Sequence, residues 1–378
     1  MALAFTATSC PENAQIPDAR GVFVTPKGAE TARFVPWTGE ASVQYQFALL
    51  REAGGGELIF APGDYELEAG FRIARTNDLR VAGSRTTRLH FAPEPAVRPT
   101  LLAEATRGAV TLRVANSKTM RPGRSYQVYK ESLEGDRILE FTVKSIEGET
   151  VHLTRGVHIM GHVKDIPAGS IVIDEINAFR VIECENLLIE GLEIDGMNRG
   201  DVHGHTTYCG VYAVGVNRPR QLPTTSGLTI RGCYIHGMKG RGVCVYSMKD
   251  ILLEGNHVHT IDSQAMEIDH FAQGIVRGNT LGDAGVGVAL NDAYDSLVEA
   301  NTFQDCRMGV GLVKHFDDEP FNQGNIVRSN VFVGGGRGVN IQNGIRNNTV
   351  TDNHFGGLKK ANWVEQKGGN VDERNVGM

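Results

Sequence analysis

The sequence predicts an all-β fold in which the chain winds as a parallel β-helix, and three observations support that prediction. Short segments of alternating apolar and polar residues recur through the C-terminal half, and from position 265 to 287 to 309 the step is 22 residues each time. Each repeat holds three such segments separated by turns. Asparagine, which suits a tight turn, falls at the same corner of successive repeats: Asn256, Asn279, Asn301, Asn330 and Asn353.

The chain can be divided before the first segment of each repeat. A second segment follows it (LTIRG, ILLEG, GIVRG and their equivalents), and a third follows that (CYIHG, HVHTI, NTLGD and theirs). The first segments are GVYAVGV (210–216), GVCVYSM (242–248), AMEIDHF (265–271), GVALNDA (287–293), GVGLVKH (309–315) and GVNIQNG (338–344).

This pattern of three short strands per repeat, with asparagine at one corner, resembles the right-handed parallel β-helix superfamily of pectate-lyase-like proteins, which includes many carbohydrate-active enzymes. The stretch VQYQFALLREAGGGELIFAPGDYEL (43–67) resembles the leading segment of that superfamily, in which an amphipathic helix caps the open end of the first coil. A cap matters because an open coil end exposes a sheet edge. The resemblance therefore implies a right-handed parallel β-helix with an N-terminal capping helix.

Four regions follow from where the repeat starts and stops. Residues 1–97 hold the N-terminal cap and the first coils, and residues 171–355 hold the main coils. Between them, residues 98–170 break the rhythm with alternating segments and hairpin turns, which predicts a small antiparallel β insertion. Residues 356–378 are polar, and we expect a tail that packs as a loop or frays.

Charge and composition argue against several classes of protein. The net charge of -6 and the pI near 6.1 are unlike those of a nucleic-acid binder, which usually carries a basic domain. No stretch approaches the roughly 18 apolar residues of a membrane-spanning helix. The six cysteines form no CxxC pair and no zinc spacing, so we interpret them as mostly free, buried thiols.

The first residues, MALAFTATSCPENAQ, lack a basic region and a long apolar region, so they do not form an intact secretory signal. We expect a secreted or periplasmic protein with its signal removed, and a cytoplasmic protein is the alternative. The expected partner is a polysaccharide or oligosaccharide, with neither nucleic acid nor membrane involved. We expect a monomer or a homo-oligomer, including a trimer, since tailspike-like proteins of this fold are often trimeric.

The alternation of the first segments gives each strand a buried and an outward side. Met266 and Ile268 point inward, so Glu267 and Asp269 point outward. Neighbouring coils stack about 4.8 Å apart, which brings residues of different repeats into one patch. One outward row is Tyr212, Cys244, Glu267, Ala289, Gly311, Asn340; the next is Val214, Tyr246, Asp269, Asn291, Val313, Gln342; the strand exits add Ser247, His270, Asp292, Lys314, Asn343.

This patch concentrates acidic residues, histidine and lysine, whereas the other outward rows do not. Such a concentration is typical of a catalytic surface. Long turns that enter the same face would add further side chains. The candidate catalytic residues are Glu267, Asp269, His270, Asp292, Lys314 and His315. The candidate substrate-binding residues are His203, His205, Tyr208, Lys239, Arg241, Tyr246 and Asn291.

These residue types fit two reactions on a polysaccharide. A lyase must neutralise the carboxylate of a uronate sugar and remove the adjacent proton with a base. Ca²⁺ held by Glu267, Asp269 and Asn291 is one way to neutralise it, and Lys or Arg is another. A glycoside hydrolase would instead pair Glu267 or Asp269 with Asp292.

We predict a uronate-polysaccharide lyase first and a glycoside hydrolase second. The C-5 epimerases of alginate share the coil rhythm but carry a D-P-H tripeptide on this face, where this chain reads EIDH. An epimerase therefore ranks lower, together with a non-catalytic, tailspike-like glycan-binding protein. Ca²⁺ is the one cofactor that these residues suggest.

Overall fold

The computed structural model describes residues 20–129, 139–159, 165–200, 207–216, 221–314, 322–342, 344–360, 362–364 and 368–377. The described chain begins with an antiparallel hairpin, which the sequence did not reveal, followed by one α-helix and the strands of the first coil. These elements are β1 (Gly21–Pro26), β2 (Arg33–Pro36), α1 (Glu40–Glu52), β3 (Gly56–Phe60), β4 (Gly63–Leu67), β5 (Phe71–Ala74), β6 (Leu79–Ala82) and β7 (Thr87–Phe91).

Helix α1 covers the N-terminal end of the stack, as the resemblance implied. It buries Val43, Phe47 and Leu50 on one face, at the spacing of an amphipathic helix. Its Gln44 also occupies the edge of β5: the N–H of Arg72 donates to Gln44 Oε1 at 2.8 Å, and Gln44 Nε2 donates to the Arg72 carbonyl at 2.8 Å. The helix thereby satisfies backbone groups that an open coil end would expose.

The region between the first and the later coils is an antiparallel module with its own core. Leu112, Val114, Phe141 and Val151 are among its buried residues. Seven of its strands form one sheet in the order β11-β16-β8-β10-β13-β12-β14. The strands are β8 (Thr100–Leu101), β9 (Ala105–Thr106), β10 (Thr111–Ala115), β11 (Ser125–Tyr129), β12 (Leu139–Glu147), β13 (Thr150–Leu153), β14 (His158–Ile159), β15 (Asp165–Ile166) and β16 (Ile171–Asp174), with a 3-10 turn at Ser117–Thr119. The module thus ends at β16, slightly beyond the expected boundary.

The remaining strands form the coils. They are β17 (Asn177–Ile182), β18 (Leu187–Glu190), β19 (Glu193–Asp195), β20 (Cys209–Val214), β21 (Leu228–Arg231), β22 (Tyr234–Met238), β23 (Val243–Tyr246), β24 (Ile251–Glu254), β25 (His257–Asp269), β26 (Gly274–Arg277), β27 (Thr280–Asn291), β28 (Leu297–Glu299), β29 (Thr302–Gln304), β30 (Met308–Val313), β31 (Ile326–Arg328), β32 (Val331–Val333), β33 (Arg337–Ile341), β34 (Thr349–Thr351), β35 (His354–Gly356), β36 (Trp363–Val364) and β37 (Val371–Glu373).

Three parallel faces run along the coils. The first sheet contains β5, β17, β20, β23, the ends of β25 and β27, β30, β33 and β36. The second sheet contains β3, β6, β18, β21, β24, β26, β28, β31, β34 and β37, and the third contains β4, β7, β19, β22, the starts of β25 and β27, β29, β32 and β35. The predicted all-β parallel β-helix is confirmed.

The predicted asparagine corner is a continuous buried ladder. Asn279 Oδ1 accepts the backbone N–H of Asn256 at 2.9 Å and its Nδ2 at 3.0 Å. Asn279 Nδ2 in turn donates to the Leu253 carbonyl and to Asn301 Oδ1, each at 2.9 Å. A second ladder, which the sequence analysis missed, runs through Asn325, Asn348 and Asn370.

The tail was expected to pack as a loop or to fray, but its described part adds strands to the stack. β36 pairs with β33 in the first sheet, and β37 pairs with β34 in the second. The reason is that both ladders continue into it: Asn370 accepts from Asn348, and Asn375 accepts from Asn353. The polar composition of the tail did not reveal these ladder amides.

The cysteine prediction is confirmed for the described residues, where Cys184, Cys209, Cys233, Cys244 and Cys306 are free and buried. Cys10 lies outside the described residues. No helix in the described part of the chain has the length and apolar character needed to cross a membrane.

Candidate functional site

The outward face of the first sheet has the register that alternation predicts. Cys244, Glu267, Ala289 and Gly311 lie opposite one another on successive strands. The next row places Tyr246, Asp269, Asn291 and Val313 in register. Side chains from four coils therefore meet on one surface, and their contacts decide what each can do.

Glu267 is enclosed by donors. Its side chain is only 2% exposed, and Arg241 Nε lies 2.5 Å from Oε2. Asn291 Nδ2 donates to Oε1 at 2.8 Å, while Cys244 Sγ and Tyr246 OH donate to Oε2 at 3.0 and 3.4 Å. These contacts engage both carboxylate oxygens and leave Glu267 poorly placed to contact a substrate.

The groups around Glu267 respond to the same burial. Burial raises the pKa of the Cys244 thiol, and the Glu267 charge raises it further, so the thiol remains a protonated donor. Burial by itself would lower the pKa of Arg241, but the Glu267 carboxylate and the neighbouring Tyr246 and thiol groups raise it well above its ordinary value. Arg241 and Glu267 thus form a buried ion pair beneath the outward surface.

Asp269 and His270 form a carboxylate–imidazole dyad at the end of β25. Asp269 accepts the backbone N–H of His270 at 2.5 Å, and the same carboxylate oxygen lies 3.0 Å from His270 Nδ1. The His270 side chain is 32% exposed although Nδ1 is buried, so the exposed part of the ring lies toward Nε2. The Asp269 carboxylate is thus an electrostatic neighbour of Nδ1, although the two atoms lack the alignment of a hydrogen bond.

The backbone turn that presents His270 is shared by its neighbours in the stack. His270 has a φ of 54°, and Ser247 and Asp292, at the same place on adjacent coils, have φ of 52° and 48°. This left-handed conformation ends the strand and redirects the chain toward the second sheet. The coil geometry therefore accounts for where the imidazole is displayed.

The next coils supply an amide, an acid and a cation. Asn291 uses Nδ2 for Glu267, and its Oδ1 is buried without a hydrogen-bond donor among the described residues. Asp292 is fully buried and accepts from Asn322 Nδ2 at 2.8 Å. Lys314 lies half-buried on the following coil.

Two sequence candidates lie apart from this group. Tyr208 is 2% exposed and donates to Asp174 at 3.3 Å, where it borders a cavity of about 220 Å³ beside the insertion. Lys239 Nζ lies 2.7 Å from Asp262 at the corner between the third and first sheets. His203, His205 and His315 lie outside the described residues.

The suggested Ca²⁺ site does not fit the donor set around Glu267. The Glu267 carboxylate is occupied by Arg241 and by neutral donors, and Asn291 directs its Nδ2, not its oxygen, toward that carboxylate. Within the described residues, no group of three or more His, Cys, Asp or Glu side chains is arranged to hold a metal ion. We therefore derive no chemical step through Ca²⁺.

The outward row extends further toward the N terminus than the sequence analysis took it. Arg72, Arg180 and Tyr212 lie in register on β5, β17 and β20. Arg180 is ion-paired with the buried Glu175 and lies 5.8 Å from the centre of the Tyr212 ring. The matching FRIA and FRVI segments on either side of the insertion would have revealed these positions.

The sequence model of the family described as "Right handed beta helix region" matches residues 171–314 and 221–375, together more than half of the chain. The chain belongs to this right-handed β-helix family. None of the curated protein sequences matches it.

Several solved structures are similar to this protein. The tailspike protein of E. coli bacteriophage HK620 is 12% identical over 84% of this chain and 52% of that chain, with a TM-score of 0.45. DFA-IIIase from Arthrobacter chlorophenolicus is 13% identical over 83% and 66%, with a TM-score of 0.37. The A-module of the mannuronan C-5 epimerase AlgE4 from Azotobacter vinelandii is 11% identical over 88% and 95%, with a TM-score of 0.30. This protein spans about half of the length of the tailspike and about two thirds of the length of DFA-IIIase. These similarities concern the fold alone.

Proposed function

We propose that this protein is an enzyme that cleaves a uronate-containing polysaccharide by β-elimination on the outward face of the first sheet, with His270 as the base. The observation that supports this proposal is the Asp269–His270 dyad. A buried carboxylate lies 3.0 Å from Nδ1, and the other side of the imidazole ring reaches the surface. This arrangement suits removal of a proton from a bound sugar.

The exposure of the carboxylates favours elimination over hydrolysis. A glycosidase needs one acid that donates a proton to the leaving oxygen and a second carboxylate that acts as base or nucleophile. Glu267, Asp269 and Asp292 are between 0 and 3% exposed. Each is already occupied by donors of the protein, so none is presented to a glycosidic oxygen as the imidazole is.

Elimination also requires stabilisation of the negative charge that develops on the sugar carboxylate. Lys314 follows His270 by two coils, a backbone separation of roughly 10 Å, and its Nζ extends toward Gly344 on the coil beyond. Its ammonium is the proposed counter-charge, because Arg241 is committed to Glu267.

Every bond that the proposed elimination forms or breaks is accounted for without a cofactor. His270 Nε2 takes the proton from the carbon next to the carboxylate, the electron pair forms the new C=C bond, and the bond to the leaving oxygen breaks. Water protonates that oxygen, and the imidazolium, stabilised by Asp269, returns its proton to solvent.

The test is to incubate the protein with a panel of uronate and neutral polysaccharides and to identify the products. Elimination gives a product that absorbs in the ultraviolet, because its new chain end carries an unsaturated uronate. New reducing ends without that absorbance would indicate hydrolysis and would overturn the proposal.

The matched variants are Asp269→Ala, His270→Ala and Lys314→Ala, with His257→Ala on the exposed face of the third sheet as control. The proposal requires loss of the absorbing product in the first three and normal activity in the control. Full activity in all three variants would show that the active site does not lie on the outward face of the first sheet.

A further inference from the structure

A second candidate ligand site lies in a cleft between α1 and β5, the outermost strand of the first sheet. We propose that this cleft binds an acidic sugar through its carboxylate. The inference does not depend on the proposed reaction: Arg72 lies in the same outward row as Glu267 but four strand spacings away, about 19 Å.

The cleft has the size of a small-molecule site. Its volume is about 380 Å³, within the range of ligand pockets. Polar groups form most of its exposed lining, three arginines add positive charge, and neither aspartate nor glutamate takes part. The lining residues are Gln44, Phe47, Ala48, Arg51, Arg72, Ala74, Arg75, Thr76 and Ile182.

The positive charge of the cleft is incompletely balanced by the protein. Arg75 pairs with Glu183 at 2.8 Å, whereas Arg51 and Arg72 form no ion pair with any carboxylate of the described residues. Both of these side chains are exposed. A ligand with a negative group would supply the missing counter-charge.

Further arginines surround Arg72. Burial lowers the pKa of Arg72, and the charges of Arg180, Arg155 and Arg75 lower it further, while Glu175 opposes them. A bound carboxylate would relieve this repulsion, which makes the local potential attractive to anions.

The shape favours a sugar acid over a bare inorganic anion. Ala48, Ala74 and Ile182, which are partly exposed, offer apolar surface to the non-polar face of a sugar ring. The planar guanidinium of Arg72 can take a carboxylate through two parallel hydrogen bonds. Its backbone is fixed in advance, because Gln44 bonds both its N–H and its carbonyl at 2.8 Å.

The experiment measures binding by calorimetry and saturation-transfer NMR in the His270→Ala protein, so that turnover cannot interfere. The probes are D-galacturonate and D-glucuronate, with galactose and glucose as their neutral counterparts and inorganic sulfate as a bare anion. The test variant adds Arg51→Gln and Arg72→Gln. The control variant instead adds Arg277→Gln and Arg328→Gln, which remove two exposed charges from the second sheet.

We expect at least one uronate to bind more tightly than its neutral counterpart and than sulfate, and to lose about tenfold or more in affinity in the test variant. The control variant should bind as the parent does. The proposal is overturned if no uronate binds, if neutral sugar or sulfate binds equally well, or if the two variants lose the same affinity. Because binding is read without catalysis, failure of the elimination assay leaves this result unaffected.

Discussion

Replacing Glu267 by Gln should destabilise the fold strongly, although the residue lies on the outward face of a sheet. The substitution keeps the size of the side chain but removes the carboxylate that lies 2.5 Å from Arg241 Nε. The two side chains are 2% and 11% exposed, so the pair is effectively buried. Removing one partner of a buried ion pair costs about 3–5 kcal/mol, and we expect a loss in this range.

A double-mutant cycle separates the ion pair from ordinary packing. The arms are Glu267→Leu, Arg241→Met and both together, measured by urea unfolding with circular dichroism. Each single change should cost several kcal/mol, and the double variant should cost clearly less than their sum, since it leaves no uncompensated charge behind. An exposed pair provides the control: Arg277→Gln, opposite Glu254, should cost at most about 1 kcal/mol.

The result also bears on catalysis. If Glu267→Gln cost less than about 1 kcal/mol and the cycle were additive, the carboxylate would not be held by Arg241. It would then be available as an acid or nucleophile, and the preference for elimination over hydrolysis would lose its main support.

Three further predictions concern the scaffold. Asn279→Ala should cost about 2–6 kcal/mol in urea unfolding, because it leaves two buried backbone groups of the neighbouring coil unsatisfied; a cost below about 1 kcal/mol would contradict the ladder. Burial lowers the pKa of His259, the charges of His236 and His257 lower it further, and Asp283 opposes them. The neutral imidazole therefore contributes its full stabilisation above the ordinary pKa of 6.5, and this contribution is lost as the pH falls below that value. His259→Asn should therefore weaken the acid-induced fall of the unfolding midpoint between about pH 7 and pH 5, and an unchanged pH dependence would refute this. Iodoacetamide at mildly alkaline pH should leave the five described cysteines unlabelled in the native protein, because they are buried and their pKa values are raised; mass spectrometry showing rapid labelling of any of them would contradict the structure.

The placement of Glu267, Asp269 and Asn291 could be derived from the sequence because two regularities determine it. Side chains alternate along a strand, and the repeat length fixes which residues stack on successive coils. The asparagine ladder could be predicted for the same reason, since one residue type recurs at one corner. Periodic features of this kind need no knowledge of side-chain conformation.

The side-chain partners could not be derived in that way. Arg241 and Lys239 lie two residues apart in one turn, yet one reaches Glu267 and the other reaches Asp262 on a different corner. Turn conformation decides their directions, and it has no period in the sequence. Tyr208 was expected at the surface, but it follows a long turn and its ring packs inward beside Asp174.

The measurement that tests the central claim most directly is the initial rate of ultraviolet-absorbing product from a uronate polysaccharide, compared between the parent protein and His270→Ala. With Asp269 beside Nδ1 and the imidazole exposed toward Nε2, we predict a loss of about 10²–10⁴-fold in rate with an unchanged unfolding midpoint. An undiminished rate in the folded His270→Ala protein would contradict the assignment of this histidine as the base.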